Sequence, residues 1–219
     1  MKRSPCSSTH RRWAAACLVL LCMGEMAGAH AWSLTLTAGA RRLFLHVGNG
    51  TLSGASGTLN GAVGTGGIVN TVQASLTTAQ LIGGAPVAMT SDSTQSVSLY
   101  GDGNITCPSP DSQVMIGAGY RRNSGATSAM LTVVSPLNLT NLSTGDTIPI
   151  TQISWTASAP GSGAPNVIPG GAFTGGSQTL ATVPGNTYVE NCHSFAYANS
   201  AVRAQGTYTG TVTYTLSSP

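Results

Sequence analysis

The sequence predicts an all-β fold, an antiparallel β-sandwich, and three observations carry that prediction. Beyond the first thirty residues no segment sustains a 3.6-residue apolar period. Period two recurs instead, most clearly where Tyr208, Gly210, Val212, Tyr214 and Leu216 alternate with Thr207, Thr209, Thr211, Thr213 and Thr215. Turn signals such as Gly83-Gly84, Pro108-Ser109-Pro110, Gly145-Asp146 and Pro184-Gly185-Asn186 separate the short apolar runs, the pattern of a sandwich rather than of a parallel α/β sheet.

The strands follow in order. Leu34, Leu36 and Ala38 alternate with Thr35 and Thr37, and Leu43, Leu45 and Val47 follow the polar break Arg41-Arg42. Further candidates are residues 69–76, 93–100, 113–120, 129–135, 147–155, 178–183 and 187–197. Within 147–155 the apolar phase shifts between Ile148/Ile150 and Ile153/Trp155, which predicts a bulge, because one extra residue changes the face that a side chain meets. The closing strand has one aromatic and aliphatic face and one threonine face, as a half-buried strand requires. Residues 48–67 and 158–176 are rich in Gly, Ser, Thr or Pro. The former reads either as a linker or as a long loop within one sheet, with the loop favoured because Leu52, Leu59 and Val63 punctuate it. The expected organisation is residues 1–31 as a signal peptide, 32–67 as N-terminal strands with the Gly/Ser/Thr-rich segment, and 68–219 as the β-sandwich domain.

The signal peptide is expected from Lys2, Arg3, Arg11 and Arg12 ahead of an apolar run over residues 13–24 and then small residues at alternate positions. Cleavage would follow Ala31 or Ala29. The run is too short for the ~20 apolar residues that cross a bilayer, so no membrane span is expected in the mature chain. Its location is then outside the cytoplasm: periplasm, cell surface or extracellular.

Removing residues 1–31 leaves 188 of 219 residues, enough for one good core. It also leaves five cations, Arg41, Arg42, Arg121, Arg122 and Arg203, against Asp92, Asp102, Asp111, Asp146 and Glu190, with no lysine. Phosphate binding needs a clustered cationic excess, so nucleic acid is not an expected partner. The arginine pairs close apolar strand patterns, where charge discourages edge-to-edge pairing. Without lysine, Lys–Asn isopeptide crosslinks cannot form.

Two cysteines survive cleavage, Cys107 and Cys192. An even pair in an exported chain reads as a disulfide, and closing so long a loop is worth roughly 4–5 kcal/mol in the chain-entropy model. Two cysteines without neighbouring His or Asp make a poor metal site. No metal or cofactor is expected, and Asp102-Gly103-Asn104 only echoes a calcium loop.

No catalytic residue is expected either. His46 and His193 are the histidines left, and His193 points away from the adjacent Cys192 on a strand. It reads as a surface histidine beside a structural disulfide. No Gly-x-Ser-x-Gly elbow appears. The acids lie beside turn signals, as aspartates ordinarily do, with Glu190 the exception. Sequons occur at Asn49, Asn104, Asn138 and Asn141 and matter where the host glycosylates exported proteins.

The ending Gly206-Thr-Tyr-Thr-Gly-Thr-Val-Thr-Tyr-Thr-Leu216 resembles the closing strand of bacterial pilin-like β-sandwiches, the chaperone–usher fimbrial subunits and their spore-coat-U-like relatives. The whole chain also resembles a group of uncharacterised exported proteins of Gram-negative bacteria. The resemblance implies an immunoglobulin-like (pilin-like) sandwich and an exported structural or assembly role without catalysis. Partners would be its own copies or other surface subunits, joined by strand addition, and a periplasmic chaperone. Residues 32–38 or 43–47 would then be a donor strand, against pairing within their own chain, which is slightly favoured. The alternative is a monomeric exported binding module, for carbohydrate, using exposed aromatics such as Tyr100, Tyr120 or Trp155.

Overall fold

Alternating Thr and aliphatic residues fit a pleated surface buried on one side, and the chain folds accordingly. A computed structural model describes residues 33–50, 70–99, 105–158 and 167–219. The strands are β1 (Ser33–Thr35), β2 (Arg42–Val47), β3 (Val72–Gln73), β4 (Val87–Ala88), β5 (Thr90–Ser91), β6 (Val114–Arg121), β7 (Ala129–Ser135), β8 (Asn138–Thr140), β9 (Thr147–Pro149), β10 (Ile153–Ser158), β11 (Gly171–Ala172), β12 (Gly176–Val183), β13 (Thr187–Tyr197) and β14 (Thr213–Ser217). A single-turn helix, α1 (Thr78–Gly83), precedes β4. The signal-peptide expectation and most of the Gly-rich segment fall outside the described residues.

The chain is all-β in several antiparallel sheets. The largest has the order β11-β10-β13-β6-β2, with β1 and β4 also paired to β13. The eleven-residue β13 is its hub: β6 and β4 pair along one part or another of it, as do β1 and β10. A second sheet has the order β12-β7-β14. The two share one core, in which Ile116, Ala118, Val189, Trp155 and Phe195 of the first meet Leu131, Val133, Ala181 and Val183 of the second. Val212, Tyr214 and Leu216 close it from the edge, half-buried.

Both candidate donor segments pair within their own chain, β1 with β13 and β2 with β6. Between Ile148/Ile150 and Ile153/Trp155 the structure has a 3-10 turn, Ile150–Gln152, instead of the expected bulge. Three residues per turn reset the phase, so all four side chains are buried. A register shift does occur in β12, between Thr179 and Ala181. Residues 93–99 are not a strand; they make one bridge, Val97 to Ile105.

Helix α1 lies where a strand was expected to end. Thr77 and Gln80 form a reciprocal capping box, and Gly84 ends the turn at φ 65°, a left-handed conformation that glycine adopts without cost. None of its residues is buried, so no apolar period marks it.

Candidate functional site

Every residue of β6 is buried, so the large sheet is covered on the face away from the core as well. Alternation places Phe44, His46, Met115, Gly117, Tyr188, Glu190 and Cys192 on that second face. Ser98, Leu99, Thr106 and Cys107 lie against it. Thr106 and Cys107 donate their backbone N–H groups to the Ser96 carbonyl, and the expected disulfide, Cys107–Cys192, fastens the segment to β13. Both cysteines are fully buried, packed with Met115.

Two residues along β13, Glu190 holds the same segment by hydrogen bonds. Its carboxyl accepts from Thr106 Oγ1 at 2.6 Å, Tyr188 Oη at 2.6 Å and Ser98 Oγ at 3.3 Å. Burial raises its pKa, and the hydroxyl donors oppose that rise. Glu190 was the one acid without a turn signal beside it, and that absence marks a carboxyl placed inside a strand. Tyr188 leans over Gly117, where any Cβ would fall onto its hydroxyl; the glycine keeps the acid's partner in place. Gly117 stands between His46 and Glu190 in one row across three strands. The His46 ring rests against Gly50. It is 5 % exposed, and neither nitrogen has a hydrogen-bond partner among the described residues. Desolvation lowers its pKa to about 4.

His193 is not at the surface. It lies on the core face, fully buried, stacked on Trp155 at 5.8 Å between ring centroids. Its Nε2 lies 3.3 Å from the Ile168 carbonyl. Desolvation again lowers the pKa to about 4, and the contact to Ile168 opposes it. Trp and Phe neighbours drew it inward, because β13 is buried on both faces along most of its length. His193 and Cys192 point to opposite faces, and His46 and Glu190 are separated by Gly117. Among the described residues no group of three or more His, Cys, Asp or Glu is placed to hold a metal ion; Asp102-Gly103-Asn104 lies outside them.

The aromatics proposed for sugar stacking are corrected likewise. Tyr120 is 2 % exposed and Trp155 5 %, both inside the core, and Trp155 donates to the Pro169 carbonyl; Tyr100 is outside the described residues. The sequon at Asn141 is buried, its Oδ1 accepting from the Ser143 N–H at 3.0 Å, whereas Asn138 is exposed.

The surface feature with chemical capacity is a pair of edges. Among the described residues, strand β2 ends the large sheet and β14 ends the small one, each paired with one described strand of its sheet. They approach one another along one side of the molecule, where Arg41 Nε donates to Ser218 Oγ at 3.3 Å. Half-buried Leu45, Val47, Val212, Tyr214 and Leu216 line the core beneath, and Leu43 is 39 % exposed. A strand at the end of a sheet over an apolar floor, as β14 is, can accept another strand.

No family model, curated protein or solved structure matches the chain.

Proposed function

We propose that this is an exported structural or assembly subunit of the bacterial cell surface, an immunoglobulin-like, pilin-like sandwich that joins other chains by strand addition. The observation that carries the reading is the side where β2 and β14 lie as neighbouring sheet edges. An added strand there would meet the edge of β14 with apolar side chains below. A buried disulfide and an almost charge-free, threonine-rich exterior suit a subunit that lives in an oxidising, exposed place. Protein partners of this kind include its own copies, other surface subunits and a periplasmic chaperone that holds the edges until assembly.

The test is native electrophoresis and sedimentation of the exported form across a wide range of concentration, with and without co-expressed neighbouring genes. Concentration-dependent ladders, or co-purification with a chaperone, are the expected outcome. A compact monomer under every condition, with its tyrosine or tryptophan fluorescence altered by a glycan, rejects the assembly role in favour of a carbohydrate-binding module.

A further inference from the structure

The charges of this chain are few, and the strand register sorts them to two ends. Arg42 and Arg121 are directly opposed across β2 and β6, with Arg41 and Arg122 next to them in sequence. Arg121 is buried, its Nε donating to the Ala40 carbonyl, so Arg41 and Arg42 are the exposed cations of this end. Arg41 reaches the end of β14 at Ser218 and the Pro219 carbonyl. Arg122 is half-buried, its Nε donating to the Ser124 carbonyl and its guanidinium 5.9 Å from the Tyr120 ring centroid. Four of the five arginines beyond residue 31 thus share one end.

The opposite end holds exposed aspartates. Asp111 lies in the turn that leads into β6, at the far end of that strand from Arg121. Eight residues at ~3.3 Å each put about 25 Å between the two ends. Asp92 follows β5, which pairs with β3, and it accepts from Asn70 Nδ2 and the Thr71 N–H; Asn70 in turn binds the Asn49 N–H just past β2. Those bonds hold its pKa below the usual carboxylate range. Asp146 sits in the turn between β8 and β9. That hairpin bridges Thr209 ahead of β14, whereas Arg41 contacts the residues just after it. Arg203 is half-buried at this aspartate end, in the connection from β13 to β14, and Glu190 is buried in between.

We propose that copies of this chain associate end to end, the arginine end of one seated on the aspartate end of the next. The inference rests on the reading of the chain as an assembly subunit and names how its copies are oriented. A second copy is the occupant because the chain carries exposed aspartates at the end opposite its exposed arginines, and a head-to-tail contact of this kind extends into a chain rather than closing as a pair. Complementary ends steer encounter and set polarity more than they add affinity, so the strands of one copy meet the next in a fixed direction.

Charge reversal tests it on exposed positions alone. One variant carries Arg41→Glu and Arg42→Glu, a second carries Asp111→Lys and Asp146→Lys, and a third carries all four. Self-association of the exported form is followed by sedimentation at low and at ~1 M salt, where screening reaches about 3 Å. We expect association roughly tenfold weaker or more in salt and in each single-end variant. It should return when the two single-end variants are mixed and in the fourfold variant. Ladders that ignore salt and all reversals overturn end-to-end seating while leaving strand addition standing. A wild-type chain that stays monomeric at every salt concentration overturns both readings. So does one that is monomeric and uses Arg41 and Arg42 to bind a polyanion such as polyphosphate.

Discussion

Desolvation lowers the pKa of two buried histidines, His46 and His193, and raises that of buried Glu190, so they pull stability in opposite directions with pH. The histidines have folded-state pKa values of about 4, below their ordinary 6.5. A depressed folded value means that the stability from burying the neutral ring is present above 6.5 and is lost as pH falls towards 4; for each it is on the order of 3 kcal/mol. Glu190 has a folded value raised above 4.5, so its contribution is fully present below 4.5 and is lost as pH rises through the folded value. Thermal melts across the acid to neutral range check both signs. Relative to wild type, His46→Gln should gain stability as pH drops below 6.5, because one proton-binding site that opens on unfolding is gone. Glu190→Gln should gain relative stability as pH rises above 4.5. Parallel pH curves for wild type and Glu190→Gln would mean that the carboxyl ionises inside the fold without penalty.

At the scale of the strand, the second sheet separates burial from position. Leu131 of β7 is fully buried in its central strand, Leu216 of β14 is half-buried at its edge, and Thr215 beside it is exposed. Urea unfolding should give about 3–5 kcal/mol for Leu131→Ala, roughly 1–2 kcal/mol for Leu216→Ala and within ~0.5 kcal/mol of wild type for Thr215→Ala. A Leu216 cost equal to that of Leu131 would make β14 an inner strand and remove the edge on which the assembly reading stands. Strands whose two faces differ were legible in the sequence: 129–135 coincides with β7 and 178–183 lies within β12; 187–197 coincides with β13 although that strand is buried on both faces. What escaped lacked a period-two signature or imitated one. Helix α1 is too short and too exposed to show an apolar period, though its capping residues were visible. Residues 93–99 imitate a strand in sequence, yet the adjacent Ser98 and Leu99 both face the sheet beneath them without joining it. His193 looked like a surface residue because a strand buried on both faces gives a sequence no polar side against which to read it.

The whole molecule is tied together on its non-core face by one short segment. Cys107–Cys192 spans 85 residues, and in the chain-entropy model such a crosslink stabilises by roughly 4–5 kcal/mol through the unfolded chain alone. Glu190 grips Thr106, the residue next to Cys107, so covalent and polar ties hold this stretch of chain at nearly the same point. The pairing itself is checked by a non-reducing digest, in which the two cysteine peptides should remain linked. Its mechanism is checked by a double-mutant cycle. Thr106→Val removes one hydroxyl donor without burying a charge, and should cost ~1–2 kcal/mol with the disulfide intact. Replacing both cysteines by alanine should cost about 3–5 kcal/mol. If the sulfur bridge also docks Thr106 in the native state, its loss lets Thr106 and Cys107 detach, and Thr106→Val should then cost less than half as much. Strict additivity would place the whole effect of the disulfide in the unfolded chain. Glu190, Ser98 and Leu99 would then be sufficient to keep the apolar face of Leu36, Phe44 and Tyr188 covered.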